Sequence, residues 1–180
     1  MVLWVLVATL PAAIVGLTFK HQIEDLFVSP RVAAYGLLIT GVLLWLSRRI
    51  EIKETHVAGE LSFPKSLAIG LSQAIAITPG ISRSGSTITA GLFCKVERKL
   101  AARFSFLMSI PAILGSVVVE FKELKFLKET NPLPVLVGVL AAMVTGFFAI
   151  RWLFMIIQKG QLHLFSYYCL AVGVLALFIL

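Results

Sequence analysis

Charged residues are scarce in this chain and unevenly distributed. Only 14% of the 180 residues are charged, and nine residues are acidic. Hydrophobic residues make up 59%, and the stretch Val2–Phe19 contains no charged side chain. A soluble domain needs more charge on its surface, so the composition excludes that class and is typical of an integral membrane protein.

Cysteine is also rare and does not occur in a metal-binding pattern. The two cysteines, Cys94 and Cys169, form no C-x-x-C pair, and both lie in apolar segments. We expect them to be buried as small hydrophobic residues, with no disulfide and no zinc site. The net charge of +7 comes from lysines and arginines between apolar segments, which is the usual bias of membrane loops. No basic face with interleaved aromatic residues is visible, so nucleic acid is not expected as a partner.

Five apolar segments have lengths close to that of a membrane-spanning helix. Crossing the hydrocarbon core takes roughly 20 apolar residues in an α-helix. The chain is therefore predicted to be an all-α integral membrane protein with a single polytopic domain, residues 1–180. A kink is expected at Pro111 in the third span. The predicted spans are Val2–Phe19, Val32–Leu46, Leu100–Phe121, Pro134–Gln158 and Leu162–Leu180.

The segment Pro64–Cys94 differs from the five spans because Pro79 and Gly80 interrupt it. Each half has about 14 residues, which is too short to cross a bilayer. Two half-length helices around such a break predict a re-entrant hairpin. A single kinked spanning helix is the alternative. With a hairpin, residues 1–63 hold two spans and a polar loop, residues 64–94 hold the hairpin, and residues 95–180 hold three spans.

The distribution of lysine and arginine predicts the orientation. With a hairpin, one face of the membrane carries eight of these residues and the other carries five. The larger set should be cytoplasmic, which puts the C-terminus outside. The larger set is Arg48, Arg49, Lys53, Lys65, Lys95, Arg98, Lys99 and Lys159.

The stretch Thr78–Thr87, which reads TPGISRSGST, carries the strongest functional signal. Its Arg83 is the only charged residue between Lys65 and Lys95. An arginine that faces lipid at bilayer depth costs at least about 2.5–3.5 kcal/mol, so something must compensate for it. A guanidinium among hydroxyls and open backbone N–H groups is an anion site, and phosphate is the favoured anion.

The small residues around Arg83 indicate how an anion would be held. Gly80 and Gly85 let the backbone approach a ligand closely. Either Ser82 or Ser84 is expected to cap the following helix, whose free N–H groups and positive dipole end then point into the break. The spacing also imitates a P-loop, but the lysine and the preceding strand are missing, so nucleotide binding is not favoured.

Structural alternatives exist for each of these residues. The guanidinium of Arg83 could tether backbone carbonyls of a neighbouring helix. Serines are also common packing residues between membrane helices. Gln73, ten residues before Arg83, could reach the site or hydrogen-bond across helices.

Residues 79–87 resemble the P-G-x-S-R-S-G-x-T motif of the undecaprenyl-pyrophosphate phosphatase family, known for bacitracin resistance. The likeness extends to residues 8–17 and 102–112. The resemblance implies an enzyme of the bacterial inner membrane with inverted repeats, each bearing one re-entrant hairpin. Its reaction would convert undecaprenyl pyrophosphate to undecaprenyl phosphate, which recycles the lipid carrier for cell-wall synthesis.

The resemblance also implies roles for the motif residues. Arg83 would hold the pyrophosphate, and the hydroxyls would bind phosphate oxygens or position the attacking group. The implied catalytic residues are Ser82, Arg83, Ser84 and Thr87, and the implied phosphate-binding residues are Gly80, Arg83, Gly85 and Ser86. The expected partners are a polyprenyl pyrophosphate and the lipid bilayer, and a homodimer is left open.

One motif of the family has no counterpart here. It combines two carboxylates in an E-x-x-x-E spacing with a serine-rich loop that ends in glycine-histidine. We therefore expect the chain to match the C-terminal two-thirds of a family member and to be inactive alone. A divalent cation, Mg²⁺ or Ca²⁺, is implied by the family, but its ligands are not expected in this chain.

Two other functional classes can be compared with this one. A transporter or a non-catalytic lipid-pyrophosphate-binding protein also fits a broken helix with a cation at mid-membrane. A lipid phosphatase with a histidine nucleophile would need S-R-x5-H. Thr89 stands where that histidine would be, so the sequence argues against this class.

Overall fold

The computed structural model describes residues 1–50, 61–120 and 132–180, without the side chains of residues 120 and 132. These residues form eight α-helices and no strand, so the all-α prediction is confirmed for the part described. The helices are α1 Val2–Thr18, α2 Lys20–Val28, α3 Pro30–Ser47, α4 Phe63–Ile75, α5 Arg83–Phe93, α6 Arg98–Glu120, α7 Pro132–Gln158 and α8 Leu164–Ile179.

Length and composition support a multi-pass membrane protein with fewer clear spans than the five predicted. Three segments are long and apolar enough to cross a bilayer: Pro30–Ser47, Arg98–Val119 and Leu133–Gln158. Helices α1 and α2 meet at an angle of 79° and count as a fourth span only if the bent pair is taken together. Helix α8 is apolar but has only 16 residues. Helix α6 continues through Pro111 without ending.

Helices α4 and α5 are the two halves of the interrupted segment. They contain 13 and 11 residues, so each covers about 16–20 Å at 1.5 Å per residue. Neither length reaches across a hydrocarbon core of about 30 Å. The two helices pack against each other, and a turn at residues 76–82 joins them.

Small residues allow the other helices to approach this pair closely. Helix α1 packs along α4, where Gly70 lies against the backbone of Ala8. Helix α3 packs along α8, where Gly41 faces Leu170. Close approach at small residues is the usual basis of helix packing in membranes, where lipid removes the hydrophobic driving force.

Two apolar clusters fill the space around α4 and α5. The first joins α1, α4 and α6. It includes Phe104, whose side chain has no exposed surface. The second joins residues of α3, α5, α6 and the ends of α7 and α8, and includes the buried Cys169. Cys94 is only partly buried against this second cluster, so the expected burial holds for Cys169 and in part for Cys94.

Helix α3 touches the turn between α4 and α5 so closely that it leaves no room for a β-carbon. A β-carbon on Gly36 would lie 2.2 Å from the carbonyl oxygen of Pro79. A β-carbon on Gly80 would lie 2.0 Å from the carbonyl oxygen of Ala33. Gly80 also has a φ of 81°, which disfavours any residue with a side chain. The position of the turn is therefore set by α3.

This contact predicts that the Gly36→Ala variant is less stable than the wild type. Overpacking against a fixed backbone costs about 1–3 kcal/mol, more than the 0.5–1 kcal/mol that alanine gains in a helix. The midpoint of thermal unfolding in detergent should fall by several degrees. Gly138→Ala is the matched control, since Gly138 also lies in a helix but has open space around it. Equal midpoints for the two variants would contradict the contact.

Candidate functional site

Ser82 caps the N-terminus of α5, which resolves the choice between Ser82 and Ser84. The backbone N–H of Gly85 donates to Ser82 Oγ at 3.1 Å, and Ser82 is in an extended conformation. A β-carbon on Gly85 would lie 2.9 Å from that oxygen, so the glycine allows the cap to close. Among the described hydrogen bonds, none uses the N–H groups of Arg83 and Ser84. These two donors and the positive end of the helix dipole therefore lie together at the start of α5.

Thr40 of α3 holds the backbone of the turn in place. Its hydroxyl donates to the carbonyl oxygen of Gly80 at 3.1 Å and accepts from the N–H of Ser82 at 2.9 Å. The side chain is only 1% exposed, so water does not compete for these bonds. Sequence reasoning missed this residue. The available signal was a hydroxyl one helical turn after Gly36 in an otherwise apolar helix.

Gln73 of α4 holds the side chain of Arg83. The Nε–H of Arg83 donates to Gln73 Oε1 at 3.0 Å, and Nη2 donates to the same oxygen. Of the two possibilities for Gln73, reaching the site or bonding to another helix elsewhere, the first is observed. Within the described residues, the side chain of Arg83 bonds to no backbone carbonyl, which argues against the tether alternative.

The charge of Arg83 is not paired within the part of the chain that the structure describes. The ion pairs found there involve Glu24 of α2, with Lys20 and with His21. The guanidinium is half-buried, and its Nη1 makes no hydrogen bond to the described residues. A half-buried cation beside free backbone donors favours an anionic ligand.

The predicted site residues fall into two groups by burial. Gly80, Ser82, Arg83 and Ser84 are half-buried and therefore accessible, whereas Gly85, Ser86 and Thr87 are buried behind them. The hydroxyl of Thr87 donates to the carbonyl of Arg83 at 2.9 Å and lies 2.6 Å from Ser105 Oγ of α6. Thr87 thus joins α5 to α6. The catalytic and phosphate-binding roles of all seven residues stay predictions.

A divalent cation does not fit the groups around Arg83. These groups are a guanidinium, N–H groups and hydroxyls, whereas the ligands that Mg²⁺ and Ca²⁺ prefer are carboxylate and carbonyl oxygens. Among the described residues, no group of three or more His, Cys, Asp or Glu side chains could hold a metal ion. Two pairs of acidic residues are close along the chain, but their side chains are not among those described. They are Glu51 with Glu54 and Glu120 with Glu123.

Comparison with known proteins identifies the family. The family model described as Bacitracin resistance protein BacA matches residues 1–175. The chain belongs to this family. The match runs through the Arg83 motif and the helices that surround it, so the resemblance found at residues 79–87 is confirmed at the level of the whole chain.

Similar proteins of this family carry the name undecaprenyl-diphosphatase. The protein of Methanobrevibacter smithii is 45% identical over 176 residues, which are 97% of this chain and 63% of the relative. That of Methanothermobacter thermautotrophicus is 44% identical over 175 residues, 96% of this chain and 97% of the relative. That of Korarchaeum cryptofilum is 41% identical over 180 residues, 99% of this chain and 66% of the relative. The chain thus spans about two-thirds of the first and third relatives and nearly all of the second.

The Thr40 bridge predicts that Thr40→Val destabilises the fold, although the two side chains have nearly the same shape. Valine leaves the Gly80 carbonyl and the Ser82 N–H without their partner, and each lost hydrogen bond costs about 0.5–1.5 kcal/mol. The unfolding midpoint in detergent should fall. Thr145→Val is the control, because the exposed Thr145 bonds only to carbonyls of its own helix. A Thr40→Val midpoint no lower than that of the control would refute the bridging role.

Proposed function

We propose that this chain supplies the pyrophosphate-binding part of an undecaprenyl-diphosphatase. The substrate is undecaprenyl pyrophosphate, and the product, undecaprenyl phosphate, is the recycled lipid carrier for cell-wall synthesis. The observation that carries the proposal is the half-buried Arg83, which begins a helix with free N–H groups and has no carboxylate partner among the described residues. Family membership and the names of the relatives support the same substrate.

The groups at the start of α5 suit a terminal phosphate. With one edge of the guanidinium held by Gln73, the Nη1 and Nη2 edge is left for two phosphate oxygens. The N–H groups of Arg83 and Ser84 add donors to a third oxygen. The Ser82 hydroxyl accepts from Gly85 through its oxygen and keeps its own proton for a phosphate. The Ser84 side chain, which is half-buried, adds a further hydroxyl.

Hydrolysis would transfer the terminal phosphoryl group to water. The oxygen of water forms a bond to the terminal phosphorus, the anhydride P–O bond breaks, and undecaprenyl phosphate leaves. The transition state has its charge on the phosphoryl oxygens, so fixed positive groups contribute most of the catalysis. Arg83 and the α5 terminus would neutralise this charge. Carboxylates other than those of the described residues are proposed to activate the water and to hold any divalent cation, since none of the described ones is paired with Arg83.

The hairpin formed by α4 and α5 is proposed to enter and leave the plasma membrane by the cytoplasmic face, which puts the C-terminus outside. Contacts along both arms support an antiparallel pair, with Gln73 beside Arg83 near the turn and Ile69 beside Gly91 further away. The beginning of α4 and the end of α5 are therefore proposed to lie at the same side of the membrane.

This topology predicts that cysteines placed at both ends of the hairpin are labelled from one side. Lys65→Cys and Lys95→Cys, each in a chain with Cys94→Ala and Cys169→Ser, should react with an impermeant thiol reagent only on the cytoplasmic side of oriented vesicles. Full labelling after the vesicles are opened is the control for accessibility. Labelling of the two positions from opposite sides would show a single spanning helix.

Arg83 is predicted to be required for phosphate release by the complete enzyme. Arg83→Lys keeps the charge but loses the planar fork, and a loss on the order of 100-fold in rate is expected for one preorganised donor. The assay measures phosphate released from a polyprenyl pyrophosphate in detergent. Arg151→Lys is the control, because Arg151 lies exposed on α7 over the Phe147 ring. Near-normal release by Arg83→Lys would refute the role of the fork.

The chain alone is predicted to bind a polyprenyl pyrophosphate without turning it over. Binding that is equally strong in the ground and transition states does not raise the rate, and the carboxylates of the acidic family motif are missing. Phosphate release above background should appear only when a fragment with that motif is co-expressed. Release by the isolated chain that Arg83→Ala abolishes would show that it holds a complete catalytic site. Binding without release even with the fragment would favour a transporter or binding protein.

A further inference from the structure

The amide of Gln73 has an unusual environment for a buried side chain. Gln73 is only 3% exposed, and its Oε1 accepts both bonds from Arg83. An arginine side chain only donates, so the amide oxygen must face it and the amide nitrogen must point away. This Nε2 is buried and has no hydrogen-bond partner among the described residues. A buried donor without a partner destabilises a fold, so packing does not explain a glutamine at this position.

The bond to Arg83 indicates that Gln73 orients the guanidinium and does not serve to pack the core. Gln73 Oε1 occupies the edge of the guanidinium formed by Nε and Nη2, and this fixes the plane of the group. Its Nη1 makes no hydrogen bond to the described residues, so the edge formed by Nη1 and Nη2 is left for a ligand. Because an amide is neutral, it orients the guanidinium without cancelling its charge. A glutamate would hold the same edge more strongly but would neutralise the cation that an anion needs.

We propose that Gln73 is a positioning residue, which aims the free edge of Arg83 at the pyrophosphate of the substrate while leaving its positive charge intact. This inference rests on the proposed function. In this proposal, the affinity for pyrophosphate depends on two side chains together, Gln73 of α4 and Arg83 of α5. It also accounts for an unpaired donor in the core, since stability is given up for orientation.

The test compares binding and stability in the full chain in detergent. Farnesyl pyrophosphate is the probe, and its dissociation constant is measured together with the unfolding midpoint. Gln73→Leu should weaken binding about 10-fold while the midpoint stays unchanged or rises. Gln73→Glu should weaken binding further, although its carboxylate keeps the contact with Arg83. Ser66→Ala is the control, because it removes an equally buried and unpaired polar atom two turns earlier on α4 and should not change binding.

A double-mutant cycle separates positioning from a structural role. Lysine has no planar edge to orient, so in the Arg83→Lys protein the Gln73→Leu change should alter the dissociation constant by less than about 2-fold. An equal loss with Arg83 and with Lys at position 83 would overturn the proposal, as would wild-type affinity in Gln73→Glu. Unchanged binding in Gln73→Leu, with weaker binding in Arg83→Lys, would overturn it and leave the proposed function standing. A wild-type chain that binds farnesyl pyrophosphate no better than farnesol would overturn both.

Discussion

A helix that is interrupted by a turn leaves backbone donors and acceptors without partners, and other groups of the protein must supply them. This constraint organises the structure around residues 76–82. The Gly80 carbonyl and the Ser82 N–H are satisfied by one hydroxyl, that of Thr40. The Gly85 N–H is satisfied by the Ser82 cap. Once these groups are paired, the N–H groups of Arg83 and Ser84 are the ones at this turn that make no hydrogen bond among the described residues, and the proposed anion site uses them.

The second constraint is a positive charge in an apolar surrounding. Arg83 lies on α5 and its hydrogen-bond partner Gln73 on α4, so the guanidinium also links the two arms of the hairpin. This neutral partner accepts from Nε and Nη2 and leaves the charge without a counter-ion among the described residues. An anion bound beside Arg83 would compensate the charge, whereas a neutral lipid would not.

The sequence was sufficient for features that depend on neighbours along the chain. The break at Pro79-Gly80, a serine cap at position 82 or 84 and the apolar lengths of α3, α6 and α7 all follow from local residue types, whereas the choice of Ser82 needed the structure. The contact of Thr40 was not predictable in the same way and that of Gln73 was only one of two possibilities, since both depend on which helix faces which. Thr40 is forty residues from its partner Gly80, and no spacing rule links the two. The family motif found Arg83 and its serines, but it gave no information on the residues that hold them.

The close packing of α3 against α8 has a consequence for the site at the other side of α3. Helix α3 carries Thr40 and Gly36 on the face that holds the turn and Gly41 against Leu170 of α8. Helix α8 thus supports α3 from behind, although it touches none of the motif residues in the contacts described. A small hydrophobic molecule bound between Gly41 and Leu170 would push α3 away from the turn. Such a molecule would disturb the backbone around Gly80 without touching any residue of the motif.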